Sequence, residues 1–204
     1  MSVIIAIAGG TASGKTTLTS NLKNKFGGKV SIVCHDNYYK RNDSIPLEER
    51  KKINYDAPDA FETSLMTEHL KALKDGKAVY CPVYDYTLHN RTKKTKKIEP
   101  FDVIIAEGIL VLQSEEIRNL ADIKIFVDTD CDERILRRIE RDVCERGRDI
   151  HGIISQYRKT VKPMHEKYVE PSKKYADIIV SGNSENKNAL EVISAWIASK
   201  IKSP

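Results

Sequence analysis

The chain has 204 residues, enough for one domain with a sizeable core, and its 40% hydrophobic and 31% charged residues are typical of a globular protein. No apolar run could span a membrane, no signal peptide precedes the first strand pattern, and four cysteines without C-x-x-C spacing argue against a zinc or disulfide framework, so we expect a cytoplasmic protein. The formal charge of +5 comes from basic residues spread over several segments without interleaved aromatics, so we expect no nucleic-acid partner.

Short apolar runs alternate with helical patterns along the chain. The runs predict five strands of a parallel sheet, at 3–8, 30–34, 103–106, 123–127 and 178–181. The helical patterns cover 16–25, 64–74, 132–144, 153–168 (broken near Pro163) and 188–200. Because strands and helices alternate, the sequence predicts an α/β fold with a parallel core sheet flanked by helices, and one domain over residues 1–204.

The segment between the first strand and the first helix reads G-G-T-A-S-G-K-T and matches G-x-x-x-x-G-K-[ST]. Glycines let successive backbone N–H groups converge on an anion, and the helix N-terminus favours negative charge. Lys15 is expected to reach the β- and γ-phosphates, and the Thr16 hydroxyl to bind Mg²⁺. The motif predicts that the chain binds a nucleoside triphosphate. The expected phosphate contacts are Gly9, Gly10, Thr11, Ala12, Ser13, Gly14, Lys15, Thr16 and Thr17.

Two carboxylates are expected at the carboxyl edge of this sheet, where ligands of parallel sheets bind. Asp36 follows the second strand and could orient and deprotonate a hydroxyl group. Glu107 ends the strand at 103–106 in the manner of a Walker B acid, and we expect it to hold Mg²⁺ with Thr16. Asp36 is a further candidate metal ligand.

Residues 79–98 have a different pattern, with Pro82, alternating aromatic residues and then a polar turn over 90–97. The pattern predicts a β-hairpin inserted into the order of the sheet.

Six arginines lie between Arg134 and Arg148. Arg134, Arg137, Arg138 and Arg141 share one helical face, on which we expect Arg134 and Arg137 to lie in solvent. Arg146 and Arg148 flank Gly147. This arrangement is typical of a mobile lid, here residues 145–150, whose arginines close on transferring phosphates.

Seven segments together resemble the uridine kinase (uridine–cytidine kinase) family. In chain order they are G-G-T-A-S-G-K-T, H-D-N-Y-Y, N-Y-D-A-P-D-A-F, P-V-Y-D-Y-T-L-H, A-E-G-I-L, E-R-G-R-D and Q-Y-R-K-T-V-K-P-M. They cover nearly the whole chain, and the hairpin segment and E-R-G-R-D are the most specific. The resemblance implies transfer of the γ-phosphoryl group of ATP or GTP to the 5′-hydroxyl of uridine or cytidine, with Mg²⁺, by a homotetramer.

The resemblance also implies roles for individual residues. Asp36 matches the catalytic base, and Thr16 and Glu107 match the magnesium positions. The nucleoside contacts would be Asp56, Arg138 and Gln156 at the sugar, Tyr84 and His89 at the base, and Arg148. Arg141 and Arg146 would meet phosphate, and Lys15 and Arg146 would be catalytic together with Asp36.

Two departures from the family pattern affect the expected ligands. Ala57 stands where relatives often have histidine, which removes a polar group near the sugar. The loop Ser181-Gly182-Asn183 stands where many relatives have P-R-G, near the family's adenine pocket, so the preferred donor stays open.

The sequence leaves three other classes of protein to weigh. A related small-metabolite kinase, such as a phosphoribulokinase or pantothenate kinase, would share the phosphate loop but lack the hairpin motif. A GTPase switch would need N-K-x-D, and here Ala189 stands in place of the acid. An RNA-binding protein is suggested only by the basic charge.

Overall fold

The computed structural model describes residues 2–183 and 186–201. Five parallel strands form the core sheet. They are β1 (Val3–Gly9), β2 (Val30–Cys34), β5 (Val103–Glu107), β6 (Ile123–Asp128) and β7 (Ile178–Ser181). A separate antiparallel pair contains β3 (Val79–Asp85) and β4 (Asn90–Ile98). The predicted parallel sheet is confirmed, and each predicted strand agrees within one residue at either end.

The helices predicted at 16–25, 64–74, 132–144 and 188–200 each agree with an observed helix within one residue at either end, and only the helix predicted at 153–168 differs. In chain order the helices are α1 (Lys15–Lys25), α2 (Leu47–Arg50), α3 (Thr63–Lys74), α4 (Glu115–Leu120), α5 (Cys131–Cys144), α6 (Ile150–Gln156), α7 (Lys162–Met164), α8 (Glu170–Ser172) and α9 (Lys187–Ile201). Within the described ranges, no helix combines the length and the apolar character needed to cross a membrane.

The strand order β2-β5-β1-β6-β7 decides which loops meet. Strand β1 lies at the centre, between β5 and β6. In the pairing of β2 with β5, Cys34 lies opposite Glu107, so the loops that follow these strands start side by side. Since all strands run in one direction, the segments after β1, β2 and β5 meet at the carboxyl edge of the sheet.

Both faces of the sheet are covered, which is why its strands are continuous apolar runs rather than alternating ones. One face carries Ile5 and Ile7 and packs against α1 and α9 through residues such as Leu22 and Ile193. The other face carries Ile4, Ala6 and Ala8 and packs against α3 and α4.

The hairpin is real, but its expected placement was wrong. β3 and β4 pair with each other as a two-stranded sheet and are not inserted into the parallel one. The polar segment predicted as a turn over 90–97 is β4 itself, and the turn lies between Asp85 and Asn90. Pairing with β3 satisfies the backbone of a lysine-rich strand whose own pattern carries no apolar signal.

The helix predicted to break near Pro163 does not break. Helical turns run from Ile150 to Tyr175, with π-helical turns at Tyr157–Val161 and His165–Val169 on either side of Pro163. Proline lacks the N–H of the usual helical hydrogen bond, and the wider i→i+5 turns accommodate this loss without ending the helix.

Candidate active site

The phosphate loop joins β1 to α1 in a conformation that requires glycine. Gly9 has a φ of 145°, and a Cβ atom there would lie 2.4 Å from the Val127 carbonyl oxygen. The Lys15 ammonium donates to the Gly10 carbonyl at 2.8 Å. Burial lowers the pKa of Lys15, while the carboxylates of Asp36 and Glu107 oppose that shift. The loop therefore sets a half-buried cation within electrostatic reach of two acidic side chains, Asp36 and Glu107.

The two predicted carboxylates follow neighbouring strands. Glu107 ends β5 and is buried, and it accepts hydrogen bonds from Thr16 Oγ1 at 3.4 Å and Thr19 Oγ1 at 3.0 Å. Asp36 lies in a single 3₁₀ turn, His35–Tyr38, directly after β2. Hydroxyl and carboxylate oxygens are the ligands that Mg²⁺ prefers, so Thr16, Glu107 and Asp36 fit this ion chemically. Within the described ranges, no group of three His, Cys, Asp or Glu side chains could hold a metal ion.

One cavity of about 790 Å³ connects this edge of the sheet to the hairpin. Every predicted site residue except two glycines lines it. These lining residues are Thr11, Ala12, Ser13, Gly14, Lys15, Thr16, Thr17, Asp36, Asp56, Tyr84, His89, Glu107, Arg138, Arg141, Arg146, Arg148 and Gln156. Gly9 and Gly10 are buried beneath the loop.

Asp56 lines the same cavity as the phosphate loop. It is buried and accepts a hydrogen bond from Thr160 Oγ1 at 3.1 Å. Burial raises the pKa of Asp56, and Arg138 and the Thr160 hydroxyl partly oppose the shift. Thr160 belongs to the first π-helical turn, which carries its hydroxyl toward Asp56.

Arg138 connects the phosphate loop to α6. Its guanidinium donates to Thr11 Oγ1 at 2.9 Å and to Gln156 Oε1 at 3.1 Å. Arg148 donates to the same Gln156 oxygen at 2.8 Å. The structure thus brings together three side chains that the sequence places on α5, on the following loop and on α6.

The hairpin contributes an aromatic wall. Tyr84 is buried against Tyr39 and Tyr55, with ring centroids 4.8 and 6.1 Å away. Tyr55 donates from its hydroxyl to the His89 carbonyl at 3.2 Å and packs against the His89 ring at 5.6 Å. Burial lowers the pKa of His89, and the nearby Arg148 lowers it further. Tyr39 and Tyr55 belong to motifs that the sequence marked without assigning these side chains a role.

A buried aspartate organises the arginines of the predicted lid. Asp142 has no exposed surface. Its carboxylate lies 2.8 Å from Arg141, 3.1 Å from Arg148, 3.3 Å from Arg146 and 3.8 Å from Arg138. Burial would raise the pKa of Asp142, but the arginines outweigh it and hold the pKa below its ordinary value. Sequence reasoning missed Asp142, although its i,i+4 spacing to both Arg138 and Arg146 was a usable signal.

The expectation that Arg134 lies in solvent was wrong. It is only 5% exposed, donates to the Thr129 carbonyl at 3.0 Å and lies 3.2 Å from His165 Nε2. Thr129 in turn donates to the Ser13 carbonyl at 2.8 Å, so Arg134 supports the phosphate loop from behind. Arg137 is half-buried and donates to the Gly182 carbonyl at 2.7 Å.

A second cavity of about 410 Å³ lies on the other side of the phosphate loop. It is bounded by the start of α1, the loop after β7 and the start of α9, through Gly14, Thr17, Gly182, Lys187 and Leu190. A Cβ atom on Gly182 would lie 2.2 Å from the Ser13 carbonyl oxygen. The loop after β7, which differs from the family pattern, therefore packs directly on the phosphate loop.

The sheet order, the phosphate loop and the carboxylates at the strand ends define a P-loop kinase. Solved structures share this fold. A phosphoribulokinase from Rhodobacter spheroides superimposes with a TM-score of 0.64 at 17% identity, covering 88% of this chain and 70% of that one. A D-glycerate 3-kinase from Cryptococcus neoformans gives 0.59 at 16% identity, covering 84% and 80%.

The family follows from sequence comparison. The model of the phosphoribulokinase/uridine kinase family matches residues 4–189, and the chain belongs to that family. A curated uridine kinase from Lactobacillus johnsonii is 50% identical over 97% of this chain and 94% of its own length. One from Macrococcus caseolyticus is 50% identical over 98% and 97%. The predicted family and enzyme class, a kinase, are confirmed.

Proposed function

We propose that the enzyme transfers the γ-phosphoryl group of ATP or GTP to the 5′-hydroxyl of uridine or cytidine, giving UMP or CMP. The observation that carries this proposal is the single cavity that joins a phosphate loop to a buried aspartate and an aromatic wall. Relatives named uridine kinase, half identical along nearly the whole chain, support the same acceptor.

The acceptor would lie with its ribose at Asp56 and its base at the hairpin. A carboxylate can accept hydrogen bonds from two neighbouring hydroxyls, and Thr160 occupies only one oxygen of Asp56. Arg138 and Gln156 would make further sugar contacts. Tyr84 offers a flat face to a pyrimidine, and His89 a ring nitrogen to its polar edge. Arg148 connects this end to the lid.

Asp36 would act as the general base. It lies between the phosphate loop and the hairpin, where a 5′-hydroxyl would face a γ-phosphate. The carboxylate would orient that hydroxyl and take its proton as the oxygen attacks phosphorus. Lys15 would neutralise charge on the β- and γ-phosphates. Arg141 and Arg146 would stabilise the charge that develops on the transferred group.

Thr16 and Glu107 would hold Mg²⁺, with Asp36 as a further candidate ligand. When bound, the ion would neutralise charge on the donor's phosphate oxygens. The donor's phosphates would lie on residues 9–17, and its base in the second cavity, beside Gly182 and Lys187.

We also propose, on the family resemblance, that the enzyme is a cytoplasmic homotetramer and that residues 1–204 form one kinase domain. Within it, residues 79–98 would be the nucleoside-binding hairpin and residues 145–150 the lid. Light scattering on the purified enzyme tests the subunit number directly.

The proposed chemistry is tested by incubating the purified enzyme with ATP, Mg²⁺ and uridine and assigning the product by phosphorus NMR. We expect phosphate on the 5′-oxygen. Asp36→Asn should bind ATP within a few-fold of wild type but lower kcat by about 10²-fold or more, since a positioned base is lost. Asp59→Asn, an exposed carboxylate on the neighbouring loop, is the control and should stay active. Near-normal turnover by Asp36→Asn would remove Asp36 from the mechanism.

A further inference from the structure

Tyr86 lies in the turn of the hairpin, between Asp85 and Asn90. Its hydroxyl donates to Asp36 Oδ2 at 3.1 Å. The Arg146 guanidinium lies over its ring, 4.3 Å from the centroid, and also contacts Asp142 at 3.3 Å. Tyr86 is 43% exposed and lines the cavity, so it lies between Asp36 and the lid, at the opening of the cavity.

We propose that Tyr86 is a specificity-determining residue that guards Asp36 against water until a nucleoside binds. The proposal rests on the role of Asp36 as general base. The phenolic hydroxyl already donates to one carboxylate oxygen of Asp36, Oδ2, for which an acceptor hydroxyl would have to compete. A nucleoside, held by its ribose and base, displaces it, whereas a lone water molecule lacks those contacts.

The reaction that Tyr86 suppresses is hydrolysis of the donor. Water would give a proton to Asp36 while its oxygen bonds to the γ-phosphorus. The bond from that phosphorus to the bridging oxygen would break, releasing a nucleoside diphosphate and inorganic phosphate, and the proton would leave Asp36 for solvent. A kinase whose base lies in an open cavity must limit this reaction, because water is always present at high concentration.

The contact with Arg146 couples the guard to the lid. While Tyr86 donates to Asp36, its ring holds the Arg146 guanidinium by a cation–π contact. The same guanidinium also contacts Asp142. A nucleoside that displaces the Tyr86 hydroxyl also moves this ring. Arg146 then loses one of its two contacts and is freer to turn toward phosphate.

The turn itself does not depend on the Tyr86 hydroxyl. Asp85 Oδ1 accepts hydrogen bonds from the backbone N–H groups of Thr87 at 2.8 Å and Leu88 at 3.0 Å. Tyr86→Phe keeps the ring under Arg146 and removes only the bond to Asp36. The variant should therefore fold with an unchanged melting temperature.

The test compares two rates in wild type, in Tyr86→Phe and in a control. The first is phosphate release from ATP without nucleoside, and the second is uridine phosphorylation. In Tyr86→Phe we expect phosphate release to rise about tenfold or more, with uridine phosphorylation within about threefold of wild type. Tyr80→Phe alters an exposed tyrosine of β3 outside the cavity and should match wild type in both rates.

The double variant Asp36→Asn/Tyr86→Phe fixes the cause, because the extra hydrolysis should disappear when the base is absent. Unchanged phosphate release with uridine phosphorylation retained would overturn the proposal and leave the proposed function standing. Loss of both rates in a folded Tyr86→Phe enzyme would also overturn it, because the hydroxyl would then serve the transfer itself. Failure of the wild-type enzyme to phosphorylate uridine would instead refute the proposed function.

Discussion

His35 is a titratable side chain beside the proposed base. It is buried, its ring stacks on Phe61 with centroids 4.1 Å apart, and its Nε2 lies 3.1 Å from Thr63 Oγ1. Burial lowers the pKa of His35 to about 4 from an ordinary value of 6.5. Between these two values the unfolded chain binds a proton that the folded chain does not.

The contribution of His35 to the free energy of unfolding is therefore fully present above about pH 6.5 and is lost as the pH falls toward about 4. Lowering the pH from 8 to 5 should reduce the free energy of unfolding by about 2 kcal/mol through His35 alone. Urea unfolding of wild type, His35→Gln and His151→Gln at both pH values measures this change in the free energy of unfolding. Between pH 8 and pH 5, His35→Gln should lose less stability than wild type. His151 is exposed, so His151→Gln should lose as much stability as wild type. Equal losses in all three proteins would contradict the assignment.

Asp36 and Glu107 could be predicted because strand ends are visible in the sequence. Each carboxylate directly follows a buried apolar run, and parallel strands bring such positions to one edge. Tyr86 and Asp142 could not be predicted in the same way. Their partners lie on segments whose approach depends on how the hairpin and the α5–α6 loop pack, and a lone sequence contains no measure of that packing.

At the scale of elements, the loop between α5 and α6 depends on one buried charge. Asp142 contacts Arg138, Arg141, Arg146 and Arg148, three of which are partly exposed. Asp142→Asn would leave four guanidinium groups with a neutral partner. Removing one member of a fully buried ion pair costs about 3–5 kcal/mol, and partial exposure of the arginines reduces that to roughly 2 kcal/mol.

Denaturant unfolding of Asp142→Asn measures this loss directly. Glu140→Gln, an exposed substitution on the same helix, is the control and should change stability little. If the two variants are equally stable, the four arginines are held by other contacts, and Asp142 does not organise the lid.

The turn of the hairpin and the π-helical turns of the long helix could not be predicted from local sequence patterns. The turn before Asn90 is closed by His89 at a positive φ of 46°, which residue type alone did not indicate. The π-helical turns on either side of Pro163 accommodate its missing N–H, and the first of them carries Thr160 to Asp56. The positive φ of His89 and the contact of Thr160 with Asp56 could not be predicted from local propensity.

In the whole molecule, the candidate active site is assembled from segments far apart in the chain. The phosphate loop, the turn after β2, the hairpin, the end of β5 and the α5–α6 region all line one cavity. Apolar periodicity predicted the strands but not the order in which they pair. The family resemblance supplied the residues that belong together, and the structure supplies the distances between them.

We propose that this cavity selects a pyrimidine ribonucleoside. Deoxyuridine would leave Asp56 with one partner missing in a buried site, which costs about 1–3 kcal/mol, or roughly 10- to 100-fold in kcat/KM. Adenosine should react poorly because Tyr84 and its neighbours would leave too little room for a purine at the proposed nucleobase site. Asp56→Ala should lower activity on uridine and deoxyuridine and shrink the ratio between them.

The decisive measurement is kcat/KM for uridine, cytidine, deoxyuridine and adenosine with wild type and Asp56→Ala. We predict that wild type prefers uridine or cytidine over both other substrates, and that the preference for ribose over deoxyribose diminishes in the variant. Adenosine turned over as well as uridine, or an unchanged ribose preference in Asp56→Ala, would contradict it.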